Sequence, residues 1–175
     1  MLLQQKIIMN LLVLILLFPI VLAIHNADEY FRCDEFIRAY HGKFAARFIT
    51  RPVVRNAMVL LTITATTMGL LTWIYRSQVL VEISIVAIFA LMLNAVSHIL
   101  MSLKRRSRTP GTLSAVVLML PYSAVVIATL RLTLGMPWIS MLRFAALGLI
   151  TTLVAVVLFL LLGYLFFWLA NLHVA

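Results

Sequence analysis

Two short stretches of the chain carry polar side chains that could do chemistry together. The first is "HNADE" at 25–29, which holds His25, Asp28 and Glu29. The second is "NAVSH" at 94–98, in which Asn94 and His98 are four residues apart. Residues three or four apart lie on one side of an α-helix. Two imidazoles with one carboxylate are a known ligand set for catalytic zinc and for non-haem iron.

These stretches belong to a chain of very apolar composition. Of its 175 residues, 65% are hydrophobic and 11% are charged, whereas soluble domains are about 45–50% apolar and about 25% charged. The composition excludes a soluble globular domain and indicates a polytopic membrane protein, with residues 1–175 expected to form a single membrane domain. Because ionisable groups inside a membrane are costly, they are functional by default.

Five segments are long and apolar enough to carry these groups across a membrane. A spanning helix needs about 20 predominantly apolar residues. The predicted fold class is therefore all-α, a polytopic bundle of about five transmembrane helices. The predicted spans are 6–27, 53–75, 79–103, 112–131 and 142–170.

The distribution of basic residues predicts the orientation of the spans. The first loop, the third loop and the C-terminus share one side and hold ten of the 14 Lys and Arg residues. The positive-inside rule places these loops in the cytoplasm and the N-terminus outside. His25 and His98 then lie near the same cytoplasmic leaflet. Since the basic residues sit in short loops, they are topology signals, and no nucleic-acid partner is expected.

The start of the chain also resembles a secretory signal, with Lys6, an apolar run and the small-residue pattern "VLA" at 21–23. However, the segment that follows carries six Lys and Arg residues, which are unfavourable to translocate. We therefore expect the first apolar run to remain as a span.

Aromatic residues recur every four positions in the first loop, at Phe36, Tyr40, Phe44 and Phe48, with basic residues between them. This pattern favours an amphipathic helix on the cytoplasmic membrane surface. A solvated basic loop is the alternative.

The carboxylates after the first apolar run need a stabilising partner. If the helix ended at residue 24, Asp28 and Glu29 would face the negative end of its dipole, which is unfavourable. Either the helix continues or a cation lies nearby, and both favour a site. We predict His25, Glu29 and His98 as metal ligands, with Asn94 as a supporting or substrate-orienting group.

The same residues, followed by "KRRSRTPGT" at 104–112, resemble the HXXEE domain family of small prokaryotic membrane proteins. That family is defined by His-x-x-Glu-Glu, then Asn-x-x-x-His, then an arginine. The resemblance runs from the first span to the start of the fourth. It implies an inner-membrane protein whose functional positions are His25, Asp28, Glu29, Asn94, His98 and one of Arg105, Arg106 and Arg108.

Two assignments follow from the comparison with the family pattern. Asp28 stands where the family has glutamate, and its shorter side chain makes Glu29 the better ligand and Asp28 a supporting group or base. Among the arginines we assign Arg106. A cationic cluster beside the site could bind a phosphate or carboxylate head group.

These features lead to one main functional hypothesis and two alternatives. The main one is a metal-dependent membrane hydrolase, with zinc or iron, acting on a lipid or isoprenoid-like amphiphile at the cytoplasmic leaflet. The first alternative is a small proton-coupled transporter, although the chain is short and lacks an internal repeat. The second is a non-catalytic membrane partner subunit. The sequence leaves the metal, the substrate and the oligomeric state open.

Overall fold

The computed structural model describes residues 2–33, 37 and 48–172. Over these residues the chain forms helices joined by turns and contains no β-strand. Five helices are long and apolar enough to cross a membrane, which confirms the predicted all-α membrane bundle. The amphipathic surface helix was predicted mostly on residues 34–47, nearly all of which lie outside the described residues.

The five helices are α1 to α5, and they agree closely with the predicted spans. Their bounds are Leu2–Phe31 for α1, Arg51–Tyr75 for α2, Gln78–Arg105 for α3, Thr112–Thr133 for α4 and Trp138–Leu172 for α5. All five helices are longer than the predicted spans, and α1 and α5 exceed them by the most residues. Helix α1 continues past residue 27 because its polar residues find partners inside the bundle. Helix α5 begins directly after Pro137, whose carbonyl accepts from the backbone N–H groups of Ser140 and Met141.

Helix α4 is irregular. It contains two π-helical stretches, Ala115–Met119 and Thr129–Thr133, on either side of the α-helical stretch Leu120–Ala128. Pro121 lies just after the first of these stretches and has no N–H to donate, which disturbs the regular ladder. Such π-helical turns often occur near functional sites. The first one directly follows the turn that contacts the candidate site.

The apolar core lies between α1, α3 and α4, where Ile15, Ile88, Met119 and Val126 are buried. Helix α5 instead lies on the outside of the bundle, across α2 and α3. Most of its large apolar side chains are exposed on the outer surface. An apolar outer surface of this kind suits contact with lipid.

Two glycines set the position of α5. A Cβ atom on Gly148 would lie 2.8 Å from the backbone nitrogen of Ala90 in α3. A Cβ atom on Gly163 would overlap the carbonyl oxygen of Val53 in α2. Small residues allow membrane helices to approach this closely. Helix α5 therefore crosses from α3 to α2, and an internal cavity lies beneath the part of α5 between the two contacts.

Candidate metal centre

Three potential metal ligands meet inside the bundle. His25 and Glu29 lie one turn apart on α1, and His98 comes from α3. The Glu29 carboxylate lies 3.1 Å from His98 Nε2 and 3.7 Å from His25 Nε2. The two imidazole ring centroids are 5.0 Å apart. Because metal–nitrogen bonds are about 2.0–2.1 Å long, this separation permits a shared mononuclear ion. We call these residues the His25–Glu29–His98 cluster.

The cluster is buried on the imidazole side and open on the carboxylate side. His25 is 1% exposed and His98 is 3% exposed. The Glu29 side chain is 23% exposed, and Glu29 lines the internal cavity together with Asn94 and His98. The ligands are therefore held by the protein while one side remains accessible to a small molecule.

A hydrogen-bond chain fixes the orientation of His25. The Ser114 hydroxyl donates to Asp28 Oδ2 at 2.8 Å, and His25 Nδ1 lies 2.9 Å from the same hydroxyl oxygen. A hydroxyl has one proton to donate, so the proton shared between His25 and Ser114 belongs to His25 Nδ1. This tautomer leaves a lone pair on His25 Nε2, which faces Glu29. The Asn94 amide donates to this lone pair at 3.2 Å, so a metal bound at Nε2 would take the place of that hydrogen bond.

The contacts of Asp28 show how a carboxylate is stabilised near the C-terminal, negative end of the α1 dipole. Its carboxylate accepts from the backbone N–H of Ser114 at 3.1 Å, in the first turn of α4. A carboxylate is stabilised at the positive end of a helix dipole and satisfies a free N–H there. Of the two roles open to Asp28, these contacts favour the supporting one, because the carboxylate acts on His25 through Ser114.

The turn before α4 lies directly against the cluster. Gly111 has φ +76°, and a Cβ atom there would lie 2.8 Å from both Glu29 Cγ and His25 Cε1. The same atom would lie 3.1 Å from His98 Cε1. Glycine adopts this left-handed conformation without penalty. Both the backbone angle and the available space therefore require glycine at this position.

Three hydroxyl groups hold this turn in place. The Ser102 Oγ atom lies 2.9 Å from Thr109 Oγ1 and 2.6 Å from Thr112 Oγ1. The Thr109 and Thr112 hydroxyl oxygens are 2.8 Å apart. The resulting ring of hydrogen bonds ties the end of α3 to the start of α4, so the cluster is supported by three helices.

The cluster residues fit a divalent metal. Four-coordinate ligands at about 2.0–2.1 Å from an ion lie about 3.3 Å from one another. The two carboxylate–imidazole distances bracket that value, and all three ligand atoms lie within 4.8 Å of one another. His25 donates its other ring nitrogen to a hydroxyl backed by a carboxylate, as metal-bound histidines usually do. His98 Nδ1 is buried without a hydrogen-bond partner among the described residues, so the second ring nitrogen of His98 lacks the support that His25 has. The cluster could therefore hold a metal ion, of an identity that these contacts leave open.

Not every predicted site residue belongs to this arrangement. Asn94 and Asp28 contact it directly or through Ser114, but Arg106 lies apart. It ends α3 in a left-handed conformation with φ 53° and an exposed side chain. It follows His98 by eight residues, or about 12 Å along the helix axis. Its assignment as a head-group ligand remains a prediction.

Sequence analysis missed two residues that support the cluster, Gly111 and Ser114. The "TPGT" stretch at 109–112 is a strong turn signal. It indicates where α4 begins, but it does not indicate that the turn meets α1. Only the packing of α1, α3 and α4 brings these two residues to His25.

Fold and site together define a polytopic α-helical membrane protein with a buried two-histidine, one-glutamate cluster. The chain belongs to the HXXEE family: the family model for "Protein of unknown function with HXXEE motif" matches residues 16–126. That range contains the whole cluster, Gly111 and Ser114. No curated protein and no solved structure matches the chain significantly.

Proposed function

We propose that the chain is a metal-dependent integral membrane enzyme, a hydrolase acting on an amphiphile at the cytoplasmic leaflet. The observation that carries the proposal is the His25–Glu29–His98 cluster, buried within membrane-spanning helices and open to a largely apolar cavity. Three protein ligands with a free position are typical of catalytic zinc, and the same set suits iron. A divalent metal so held supplies Lewis acidity and makes a water molecule far more acidic.

The residues around the proposed metal site have separate roles. Glu29 directs one carboxylate oxygen toward each histidine, and it is the most accessible member of the cluster. The half-buried Asn94 amide lines the cavity beside His25. Its N–H can orient a carbonyl or phosphoryl oxygen by donating a hydrogen bond. Asp28 and Ser114 hold His25 in the tautomer that a metal ligand needs.

The location of the cluster supports an amphiphilic substrate such as a lipid or an isoprenoid derivative. The cavity is polar beside the cluster and apolar along most of its walls. The distribution of basic residues favours the cytoplasmic leaflet for this end of the bundle. Arg106, at the exposed end of α3, is our candidate for contact with an anionic head group.

A transporter is less well supported than an enzyme. A proton pathway would need ionisable groups along the length of the bundle. In the described part of the chain, the cluster lies near one end of the spans. Glu82, near the other end of α3, accepts a hydrogen bond from Gln78 on the outer surface. This arrangement favours a local reaction centre.

The proposal is tested first by metal content. Purified wild-type protein is expected to hold about one divalent metal ion per chain, and His98→Ala should hold less than about a tenth of that, because one of three ligands is gone. Ser97→Ala is the matched control, since within the described part of the chain the Ser97 hydroxyl bonds only the backbone of its own helix, at Asn94 O. Elemental analysis measures both, and full occupancy in His98→Ala would refute the proposed ligand set.

Activity is the second part of the test. Metal-loaded wild-type protein in mixed lipid vesicles should release a water-soluble or single-chain product from an ester or phosphoester lipid, and His98→Ala should release none. A metal that is bound tightly, stabilises the fold against heat and supports no turnover of any lipid offered would instead assign the cluster a structural role.

Ser114 provides a finer prediction. Ser114→Ala removes the partner of His25 Nδ1 and a hydrogen bond to Asp28, and loss of such support typically lowers metal affinity 10–100-fold. Competition with a chelator measures the affinity for Zn²⁺. Ser123→Ala is the control, because Ser123 is equally buried in α4 and its hydroxyl has no partner among the described residues. Equal affinities in the two variants would contradict the assigned role of Ser114.

A further inference from the structure

A partly open cavity of about 380 Å³ lies between α1, α2, α3 and α5. It meets the His25–Glu29–His98 cluster through Glu29 and His98, and its lining continues past them to Cys33 and Met101. Its far end is formed by Phe18, Leu61 and Ala87, which are all apolar. The cavity therefore has a polar region at the cluster and an apolar region farther along α1 and α3.

Two helices measure the length of the apolar part independently. Phe18 and Glu29 are 11 residues apart on α1, and Ala87 and His98 are 11 residues apart on α3. Each interval corresponds to about 16 Å along the helix axis. Since α1 and α3 cross the bundle in the same direction, the two measurements agree on the depth of the cavity below the cluster.

The volume of the cavity suits a small ligand. It lies at the lower end of the range of about 300–1,000 Å³ that is typical of small-molecule sites, which is room for one ligand chain. The space exists because small side chains, Ala57, Ala90 and Ala155, line it on α2, α3 and α5. An empty apolar cavity forfeits van der Waals contacts on every wall, so a hydrocarbon occupant is favoured.

We propose that this cavity binds a single hydrocarbon chain of the substrate, with the polar group at the cluster and the chain end against Phe18, Leu61 and Ala87. The substrate class is thus a straight-chain amphiphile, selected by length, with an optimum near 16 Å. That the bound hydrocarbon chain belongs to a substrate rests on the proposed function. The binding of a hydrocarbon chain in the cavity does not depend on that function.

The experiment uses straight-chain fatty acids that carry a photoreactive diazirine at the chain end. After irradiation of the full-length protein with the bound fatty acid in detergent, peptide mapping should find the label on Phe18, Leu61 or Ala87. Ala155→Phe fills the cavity and should lower this labelling about ten-fold. Val157→Phe is the matched control, because Val157 lies on the same helix with its side chain exposed outside the bundle, and it should label like wild type.

A second variant guards against misfolding. Ala87→Leu shortens the far end of the cavity and should shift the best-labelling fatty acid to a shorter chain, a change that mere destabilisation does not produce. Label spread over outward-facing residues, or labelling equally strong in Ala155→Phe and Val157→Phe, would overturn the proposal. A polypeptide found bound in the cavity, in place of the fatty acid, would also overturn the proposal.

Metal content separates this proposal from the proposed function. Ala155→Phe should lose labelling and keep its metal, whereas His98→Ala should lose its metal and keep labelling. Specific labelling in a protein that never binds metal would support the hydrocarbon-binding cavity and refute the proposed metal-dependent enzyme. Metal binding together with unspecific labelling would refute the hydrocarbon-binding cavity and leave the proposed metal site intact.

Discussion

Replacing Gly111 with alanine is expected to abolish metal binding and to destabilise the protein. The added Cβ would lie 2.8 Å from Glu29 Cγ and from His25 Cε1, and 3.1 Å from His98 Cε1, so all three candidate ligands must move at once. A left-handed non-glycine residue costs about 1–2 kcal/mol, and overfilling a packed site costs about 1–3 kcal/mol more. Elemental analysis and thermal unfolding in detergent measure the two effects separately.

Gly135→Ala is the matched control for that substitution. Gly135 also has a left-handed backbone, with φ +65°, but an added Cβ there meets nothing within 4 Å. This variant should show only the conformational penalty and retain full metal content. If both variants bind metal equally well, the turn before α4 does not support the cluster as described.

Gly163→Ala is expected to separate α5 from α2. The added Cβ would overlap Val53 O and lie 2.9 Å from Ala57 N, and backbone atoms cannot turn aside as a flexible side chain can. The helices must move apart, at a cost of about 1–3 kcal/mol. The same movement widens the cavity beneath α5, so labelling by the photoreactive fatty acid should lose its preference for Phe18, Leu61 and Ala87.

Gly69→Ala is the matched control for Gly163→Ala, because an added Cβ at Gly69 overlaps no other atom. An added Cβ on Gly69 of α2 would make ordinary contacts of 3.5 Å with Ile15 O and Pro19 Cγ. Alanine is also the better helix former by about 1 kcal/mol. We expect unchanged or slightly raised thermal stability in this variant. A loss of stability as large as that of Gly163→Ala would mean that helix glycines matter here for reasons other than close approach.

The fold was largely predictable because lipid imposes a simple rule. Every spanning segment must be a helix of about 20 apolar residues, and the five predicted spans correspond to the five helices. Hydropathy failed only at the ends. It placed the end of α1 near residue 27, but the helix reaches Phe31 because the side chains of His25, Asp28 and Glu29 bond to other helices.

The site was predictable in part. Helical spacing linked His25 to Glu29 and Asn94 to His98, and the charge distribution placed both histidines at the same depth. Gly111 and Ser114 were not predictable, because nothing local in "PGTLS" at 110–114 shows which helix the turn will meet. Arg106 was one of three arginines that the family pattern offered, and its exposed position at the end of α3 gives it no tie to the cluster beyond proximity along the helix.

The bonds from Asp28 and His25 to Ser114 have a consequence for biogenesis. The ligands on α1 and α3 are synthesised before residue 111, yet the group that orients His25 and the turn that borders the cluster belong to α4. A nascent chain with three inserted spans therefore lacks both supports of the cluster. Any metal that the cluster holds would gain them only after insertion of the fourth span.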